Sequence, residues 1–218
     1  MKNVQDVENI LKMIQMKIKV SKMSGKLKDI EAINSNPLSN LFCQSMNASG
    51  KKDCICTHCY SCSMLKAYRR NCVPAFEMNS KVLSQGKLEL NDMPRFSKKN
   101  NIIRLHAHGE LINDTHLLNL IDIVISNPTK TFSLYTKRAD LIDKVFTNLA
   151  KPDNLILVYS NPTIDTPITT IPRHFDKVFN VYQNKYQDKI NCGSKNCNGC
   201  RNCYDKNKVN IIYEAIKR

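Results

Sequence analysis

The sequence predicts an α/β fold, namely a partial parallel βα barrel with an N-terminal helix and a C-terminal cysteine-rich metal-binding segment. Three observations predict it. Between about residues 101 and 183, short apolar runs alternate with segments of helical periodicity. A helical pattern precedes this region, and eight of the ten cysteines lie in two short groups on either side of it. Strand–helix alternation favours a parallel sheet with right-handed crossovers, and an open doubly wound sheet is the alternative architecture.

The first element is an amphipathic helix predicted over residues 4–22. Its apolar residues recur at steps of three and four positions, and they are Val4, Val7, Leu11, Ile14 and Ile18. The stretch "NSNPLSN" (34–40) follows as a turn. We therefore assign residues 1–35 to an N-terminal helical extension.

The predicted βα core covers residues 36–188 and begins with a cysteine loop. A helix is expected from Cys62 to about Ser84, interrupted near Pro74. The further predicted elements are strands at 101–108, 130–136, 154–160 and 177–183 and helices at 114–127 and 138–150, with a Pro/Thr-rich loop at 161–172. Residues 189–218 form the C-terminal cysteine-rich segment, in which 209–217 closes the chain as a strand or a helix.

Composition and charge limit the classes of protein to which the chain can belong. The chain has 218 residues, 42% of them hydrophobic, and a formal net charge of +14. No apolar stretch reaches the length of a membrane span and no secretion signal is evident, so we expect no membrane association and a soluble, cytoplasmic protein. The charge favours nucleic acid or a nucleotide-related anion as a partner, although a lysine-rich solvated surface explains it equally well. The oligomeric state is not predicted.

The ten cysteines are interpreted as metal ligands, because disulfides are rare in intracellular proteins. The C-terminal group is Cys192-x4-Cys197-x2-Cys200-x2-Cys203. Its Cys-x2-Cys-x2-Cys run is similar to the run that binds a [4Fe–4S] cluster in bacterial ferredoxins. A structural zinc knuckle is the alternative for the same four thiolates.

The first cysteine group, "CICTHCYSC" (54–62), contains a chelating pair in Cys56 and Cys59. The third ligand is Cys54, Cys62 or the more distant Cys43. Three thiolates would leave one iron of a [4Fe–4S] cluster open to a small molecule, whereas four would close the site and make it structural. The spacing does not decide between these alternatives.

Polar residues cluster at the ends of the predicted strands, where parallel βα folds place function. The strand "RLHAHGE" is the richest, and alternation is expected to put Arg104, His106 and His108 on one face. Gly109 would let a ligand approach the backbone, and Glu110 would bind an ammonium group or accept a proton. The predicted catalytic residues are therefore Glu110, His106, His108 and Arg104.

The order of these motifs resembles the phage-encoded gene product 88 domain family. The resemblance rests on "CTHCYSC", "RLHAHGELIND", "TFSLYTKR" and "CRNCYD", and it spans roughly Pro37 to Tyr213. The positions that match the family pattern are Cys43, Cys56, Cys59, Tyr60, Arg104, His106, Gly109, Glu110, Thr136, Cys197, Cys200 and Cys203. The family implies no settled activity.

The layout is also similar to radical S-adenosylmethionine enzymes, which are partial βα barrels with a three-cysteine cluster loop. In those enzymes a Gly-Gly-Glu-like strand end contacts the methionine amine, and Gly109-Glu110 falls at that place. The usual Cys-x3-Cys-x2-Cys spacing is absent here, and the glycine pair is a single glycine. The cofactor-binding residues predicted on this basis are Gly109, Glu110, Tyr60, Thr136, Lys137, Ser160 and Asn161.

Two hypotheses of function follow. The first is an iron–sulfur enzyme of phage or mobile-element origin with one or two [4Fe–4S] clusters, similar to radical S-adenosylmethionine enzymes. It would need an electron donor, would act on a nucleic-acid or nucleotide-related substrate, and would work in the host cytoplasm if phage-encoded. The alternative is a zinc-stabilised nucleic-acid-binding or host-takeover protein without catalysis.

Overall fold

The computed structural model describes residues 17–183 and 189–216, and within these ranges seven strands form one sheet. The strands follow one another across the sheet in chain order. The first pair is antiparallel, and every later neighbouring pair is parallel. The strands are β1 Val20–Lys22, β2 Glu31–Ile33, β3 Ile102–Leu105, β4 Thr131–Thr136, β5 Leu155–Ser160, β6 Lys177–Tyr182 and β7 Ile211–Ala215.

Helices occupy most of the connections between the parallel strands. Three lie between β2 and β3, one in each of the next two connections, and a single short turn of helix between β6 and β7. They are α1 Leu41–Ala48, α2 Tyr60–Lys66, α3 Val73–Gln85, α4 Asp114–Ile125, α5 Ala139–Phe146 and α6 Cys197–Cys200. In the described ranges no helix is both long enough and apolar enough to cross a bilayer.

The sheet has two differently covered faces. Because each parallel strand adds on the same side of the one before it, right-handed crossovers bring their helices to a single face, here called the helical face. Alternate strand residues there pack against α3, α4 and α5 in the main core, which includes Ile103, Leu105, Phe132, Leu134, Leu157, Leu83, Leu120 and Ile142. Each such side chain, when fully buried, stabilises the fold by about 1.5–3 kcal/mol.

The opposite face, here called the cysteine face, is covered by the C-terminal cysteine segment. Cys203 and Tyr204 pack against Tyr135, Ile156 and Val158 in a second, smaller core. The part of the β6–β7 connection that contains Cys203 and Tyr204 therefore lies on the side of the sheet that the helices leave free.

The mixed α/β class and the mostly parallel sheet are confirmed. A closed barrel is not shown, because β1 and β7 are the two edges of the described sheet and do not pair. The sheet also extends past both predicted boundaries, since β1 and β2 precede residue 36 and β7 follows residue 188.

The N-terminal helix predicted over 4–22 is wrong at its C-terminal end, where residues 20–22 form β1. Ile18 is buried between exposed Lys17 and Lys19, which is the alternation of extended chain rather than of a helix. The earlier part of that prediction, up to residue 16, lies outside the described residues.

The helix predicted from Cys62 to Ser84 is instead two helices, α2 and α3. The chain leaves the helical conformation at Ala67, and Pro74 lies in the first turn of α3. Proline fits there because its missing N–H would have no helical partner in the first turn. Pro74 therefore begins a helix rather than interrupting one.

Candidate functional site

A cavity of about 650 Å³ opens between the cysteine face and the loops at the carboxyl ends of the parallel strands. Cysteines from both groups line it. They are Cys43, Cys56 and Cys59 from the N-terminal side and Cys192, Cys197 and Cys203 from the C-terminal side. Three further predicted ligands, Cys54, Cys62 and Cys200, are not among the lining residues. The two cysteine groups thus share one cavity, which their separation in the sequence did not predict.

The first three lining cysteines are held by backbone and amide contacts. Asn40 caps α1, and its side-chain oxygen accepts hydrogen bonds from the amides of Phe42 (3.0 Å) and Cys43 (3.3 Å). Asn47 donates from its side chain to the Cys56 carbonyl at 2.7 Å. The Cys59 amide donates to the same carbonyl group at 3.2 Å. The loop between α1 and α2 therefore has a fixed path at the cavity wall.

Cys54 and Cys62 have other surroundings. Cys54 is buried in a short antiparallel bridge with Thr163, which fastens the cysteine loop to the β5–β6 connection. Cys62 is buried in α2 and shares a hydrogen bond with Cys59. That bond lowers the pKa of Cys59 to about 6 and raises that of Cys62. Burial raises the pKa of Cys56 to about 11 and raises that of Cys43 as well.

Lys137 lies at the end of β4, beside this cysteine wall. Its ammonium group donates to the Ser160 hydroxyl at 3.2 Å. Burial alone would lower the pKa of Lys137, but the nearby Cys56 and Glu110 more than offset this and the pKa is raised. A cation is therefore kept next to Cys43, Cys56 and Cys59.

Glu110 is buried, with 3% of its surface exposed, and lines the same cavity. One carboxylate oxygen accepts hydrogen bonds from Thr136 Oγ1 (2.5 Å) and the Leu111 amide (2.8 Å). The other accepts from the Lys137 amide at 2.8 Å. Burial still raises the pKa of Glu110 above its usual range. The carboxylate joins the loop after β3 to the end of β4.

The loop after β3 packs directly on the chain that follows β2. Ser35 donates from its hydroxyl to the Glu110 carbonyl and accepts from the Glu110 amide, both at 3.1 Å. Gly109 has φ +93°, and a Cβ atom there would lie 2.2 Å from Ser35 Oγ and 2.4 Å from the Ser35 carbonyl oxygen. The close approach that requires glycine is therefore to Ser35 of the chain itself.

The expected common face for Arg104, His106 and His108 is wrong. Strand β3 ends at Leu105, and His106 has a left-handed backbone with φ +59°, which breaks the alternation. His106 and Arg104 line the cavity. His108 instead lies between α2 and α3, where its Nδ1 is 2.8 Å from Ser61 Oγ and its ring stacks on Phe76 at 5.8 Å.

His106 forms a buried pair with His116 of α4, and their Nε2 atoms are 3.2 Å apart. The Ile112 amide donates to His116 Nδ1 at 3.3 Å, so the proton of neutral His116 is on Nε2. His116 then donates to His106, whose own proton is on Nδ1. Burial lowers the pKa of both rings, to about 3 for His116. The Nδ1 atom of His106 is buried and has no hydrogen-bond partner among the described residues.

Arg104 connects the centre of the sheet to the C-terminal cysteines. Its guanidinium carbon lies 3.1 Å from the centre of the Tyr135 ring. The Tyr135 hydroxyl in turn forms a hydrogen bond with the Cys203 sulfur. No ion pair of Arg104 with a carboxylate occurs in the described part of the chain, and its buried Nε has no partner there.

Lys26 lines the cavity beside Cys192 of the C-terminal group. Its ammonium group is 2.5 Å from a Glu214 carboxylate oxygen and 3.1 Å from the Cys192 sulfur. Burial raises the pKa of Cys192 to about 11 and raises that of Cys197 and Cys203. Lys26 precedes β2 and Glu214 lies in β7, so both ends of the described chain contribute to the cavity.

Of the remaining residues predicted to bind a cofactor, some line the cavity and some do not. Tyr60 and Ser160 line the cavity, and the Tyr60 hydroxyl is 2.7 Å from that of Tyr68. Thr136 and Asn161 do not line it. Asn161 holds the β5–β6 connection by donating to the Thr166 carbonyl (2.7 Å) and the Asn180 side chain (2.9 Å).

The cysteines that line the cavity are spread along its wall and do not converge on one position. In the described ranges no three side chains of His, Cys, Asp or Glu converge as ligands of one metal ion. The thiols with raised pKa values are protonated at neutral pH, and a bound metal would displace those protons. The donor set itself, soft sulfur beside cationic side chains, is suited to zinc or to an iron–sulfur cluster.

Several contributors to the site were not predicted as site residues from the sequence. They are Lys26, Ser35, Asn40, His116 and Glu214. Asn40 and Ser35 lie in "NSNPLSN", which was assigned only as a turn. Its asparagine and serine content is typical of a loop that bonds neighbouring backbone groups, and this is the signal that could have indicated its supporting role.

Comparison with known proteins gives one match. The family model described as gene product 88 matches residues 11–216, somewhat more of the chain than the span from Pro37 to Tyr213 on which the resemblance rests. Neither the curated proteins nor the solved structures gave a match. The similarity to radical S-adenosylmethionine enzymes receives no support from these comparisons. Because the matched segment covers nearly the whole sequence, the chain belongs to the gene product 88 family.

Proposed function

We propose that this protein is an iron–sulfur enzyme in which Cys43, Cys56 and Cys59 hold a [4Fe–4S] cluster at the wall of the cavity. The observation that carries the proposal is the composition of that wall. Cys56 and Cys59 of the first group line the cavity together with the more distant Cys43, whereas Cys54 and Cys62 of that group do not. Three protein thiolates would leave one iron of such a cluster without a protein ligand, and the cavity is large enough to hold a small molecule.

The electrostatics of the wall support an anionic centre. A cluster bound by three thiolates carries negative charge, and Lys137 places an ammonium group beside the same three sulfurs. The shared hydrogen bond with Cys62 favours the thiolate form of Cys59. When bound, the cluster would supply an electron and an open coordination position to the ligand.

The residues of the chain itself would bind and orient the ligand. Glu110 keeps the ends of β3 and β4 in register through Thr136 and the Lys137 amide. Arg104, His106 and Lys137 present nitrogen donors to the cavity. We propose S-adenosylmethionine or a nucleotide-related molecule as the ligand, with the C-terminal cysteines holding an auxiliary cluster or zinc and an external electron donor as the partner.

Anaerobic purification with quantification of iron, acid-labile sulfide and zinc tests the proposal. We expect a coloured protein with about four irons and four sulfides per cluster. Alanine substitution of Cys43, Cys56 or Cys59 should lower the iron content. The matched control is Cys72→Ser, because Cys72 does not line the cavity and packs beside α3.

The net charge of +14 favours one alternative function, a zinc-stabilised protein that binds nucleic acid without catalysis. The same purification separates the two. Colourless protein with stoichiometric zinc, no iron after anaerobic reconstitution and salt-dependent nucleic-acid binding would replace the enzyme proposal with this alternative. Iron-loaded protein that binds S-adenosylmethionine in a calorimetric titration would support the enzyme.

A further inference from the structure

The charges around the cavity leave one cation without a carboxylate. Lys26 is paired with Glu214, and Lys137 lies beside Glu110. Arg104 forms no ion pair with a carboxylate in the described ranges, although it lies beside Tyr135 of the sheet and Cys203 and Tyr204 of the C-terminal segment. Arg104 is half-buried, and its buried Nε–H has no partner in the described ranges, so an acceptor is expected beside it.

The neighbours of Arg104 are Tyr135, Tyr204 and Cys203, and none of them is a carboxylate. The guanidinium carbon lies 3.1 Å from the centre of the Tyr135 ring. The buried Nε of Arg104 has no hydrogen-bond partner among the described residues. The described chain therefore offers this N–H group no acceptor.

A second donor without a partner lies two residues away. The chain of hydrogen bonds from Ile112 through His116 fixes the proton of His106 on Nδ1. His106 is 3% exposed and lines the cavity, and its Nδ1 has no partner among the described residues. The Nε–H of Arg104 is unpartnered in the same way. Two buried N–H groups beside one cavity call for an acceptor that the described chain does not provide.

We propose that the cavity contains an oxyanion subsite, in which Arg104 and the Nδ1–H of His106 bind the carboxylate or phosphate group of the ligand. The planar guanidinium matches either group, and a fixed neutral imidazole adds one directed hydrogen bond. His116 is a positioning residue, because it acts by holding the tautomer of His106. The inference rests on the proposed function in one respect, that the cavity is where the small molecule binds.

Titration calorimetry of the intact metal-loaded protein with inorganic phosphate, and separately with acetate, tests the subsite. We expect one site per chain for at least one of the two anions. Arg104→Gln should raise the dissociation constant about tenfold or more. The matched control is Arg173→Gln, since Arg173 is an exposed arginine that pairs with Asp143 and is not among the lining residues of the cavity. The dissociation constant of this variant should stay within about twofold of wild type.

Two further variants keep the test decisive if Arg104→Gln does not fold. Arg104→Lys retains the charge but loses the two-pronged geometry, so binding should weaken by several-fold while folding is preserved. His116→Gln should weaken phosphate or acetate binding without changing the iron or zinc content. Unchanged anion affinity in Arg104→Lys together with His116→Gln would overturn the proposal.

Metal analysis of the same preparations separates this inference from the proposed function. If Arg104→Gln loses metal in parallel with anion binding, Arg104 balances the cysteine thiolates and the oxyanion subsite is refuted. If phosphate binding survives in Arg104→Gln, the anion coordinates elsewhere and the subsite is equally refuted. Protein that lacks iron but binds the anion through Arg104 would refute the iron–sulfur enzyme and retain the subsite.

Discussion

Replacing Gly109 with alanine tests the packing of the β3 loop against the chain after β2. The added Cβ atom would lie 2.2 Å from Ser35 Oγ and 2.4 Å from the Ser35 carbonyl oxygen, at a backbone φ of +93°. The positive φ costs an alanine about 1–2 kcal/mol of conformational free energy. The overlap with backbone atoms costs about 1–3 kcal/mol more. Weakening the two Ser35–Glu110 hydrogen bonds costs about 1 kcal/mol each.

The expected loss in free energy of unfolding for Gly109→Ala is therefore about 4–7 kcal/mol. Urea denaturation of metal-matched preparations measures it, and the melting temperature should fall by roughly 8–28 °C. The control is Gly86→Ala, because Gly86 has an extended backbone with φ −170° and no atom within 4 Å of the added Cβ. A Gly109→Ala variant within about 1 kcal/mol of wild type would refute the argument from close approach.

Three other substitutions give separate tests. Thr136→Val removes a donor from the buried Glu110 carboxylate and should cost about 2 kcal/mol in urea denaturation; a loss below about 0.5 kcal/mol would contradict the role of that bond. His108→Gln tests pH dependence: burial lowers the pKa of His108 from 6.5 to about 4, so its contribution to stability is complete above pH 6.5 and is lost as the pH falls toward 4. For the wild type, this group makes the free energy of unfolding fall by up to about 1.4 kcal/mol per pH unit as the pH decreases, and the variant should lack this contribution. An unchanged pH dependence of the free energy of unfolding between pH 6.5 and 4.5 would count against a buried neutral His108. Asn40→Ala removes the cap of α1 and a donor to the Glu110 carbonyl (3.0 Å), so it should destabilise the protein by about 2 kcal/mol, whereas exposed Asn71→Ala should change little.

The regular part of the fold could be predicted because its signals are local. The apolar runs at 130–136 and 154–160 became β4 and β5, and the periodic segment at 114–127 became α4. Each is long enough to show its period and to be bounded by turn residues. Strand β2 has only three residues and begins with the buried Glu31, whose carboxylate accepts from the Ser97 amide at 2.9 Å. Its partners in the sheet are β1 and the more distant β3. A strand of three residues that begins with a charged residue is too short to show an alternating pattern.

The sequence predicted several residues of the candidate site but not how they are arranged. Cys43, Cys56, Cys59, Arg104 and Glu110 were singled out by residue type, and the structure brings them to one cavity. The spacing could not distinguish Cys43 from Cys54 or Cys62 as a lining residue, because that depends on how α1 lies against the loop after β3.

The backbone conformation of His106 could not be predicted from the sequence pattern either. Strand alternation extrapolated from Arg104 failed at His106, whose left-handed backbone turns the chain out of the strand. That conformation is set by non-local contacts. They include the pairing of its amide with the Ile33 carbonyl at 2.9 Å and of its ring with His116.

The shared cavity has a consequence for synthesis of the chain. The cavity is lined by Cys43, Cys56 and Cys59 and also by Cys192, with more than 130 residues of polypeptide between Cys59 and Cys192. At about 5–20 residues per second, a ribosome takes on the order of ten seconds to make that interval. The nascent chain thus exposes three thiols to the surrounding solution well before their enclosure exists. Whatever the finished cavity carries is acquired, or finally enclosed, only after β7 has emerged and docked.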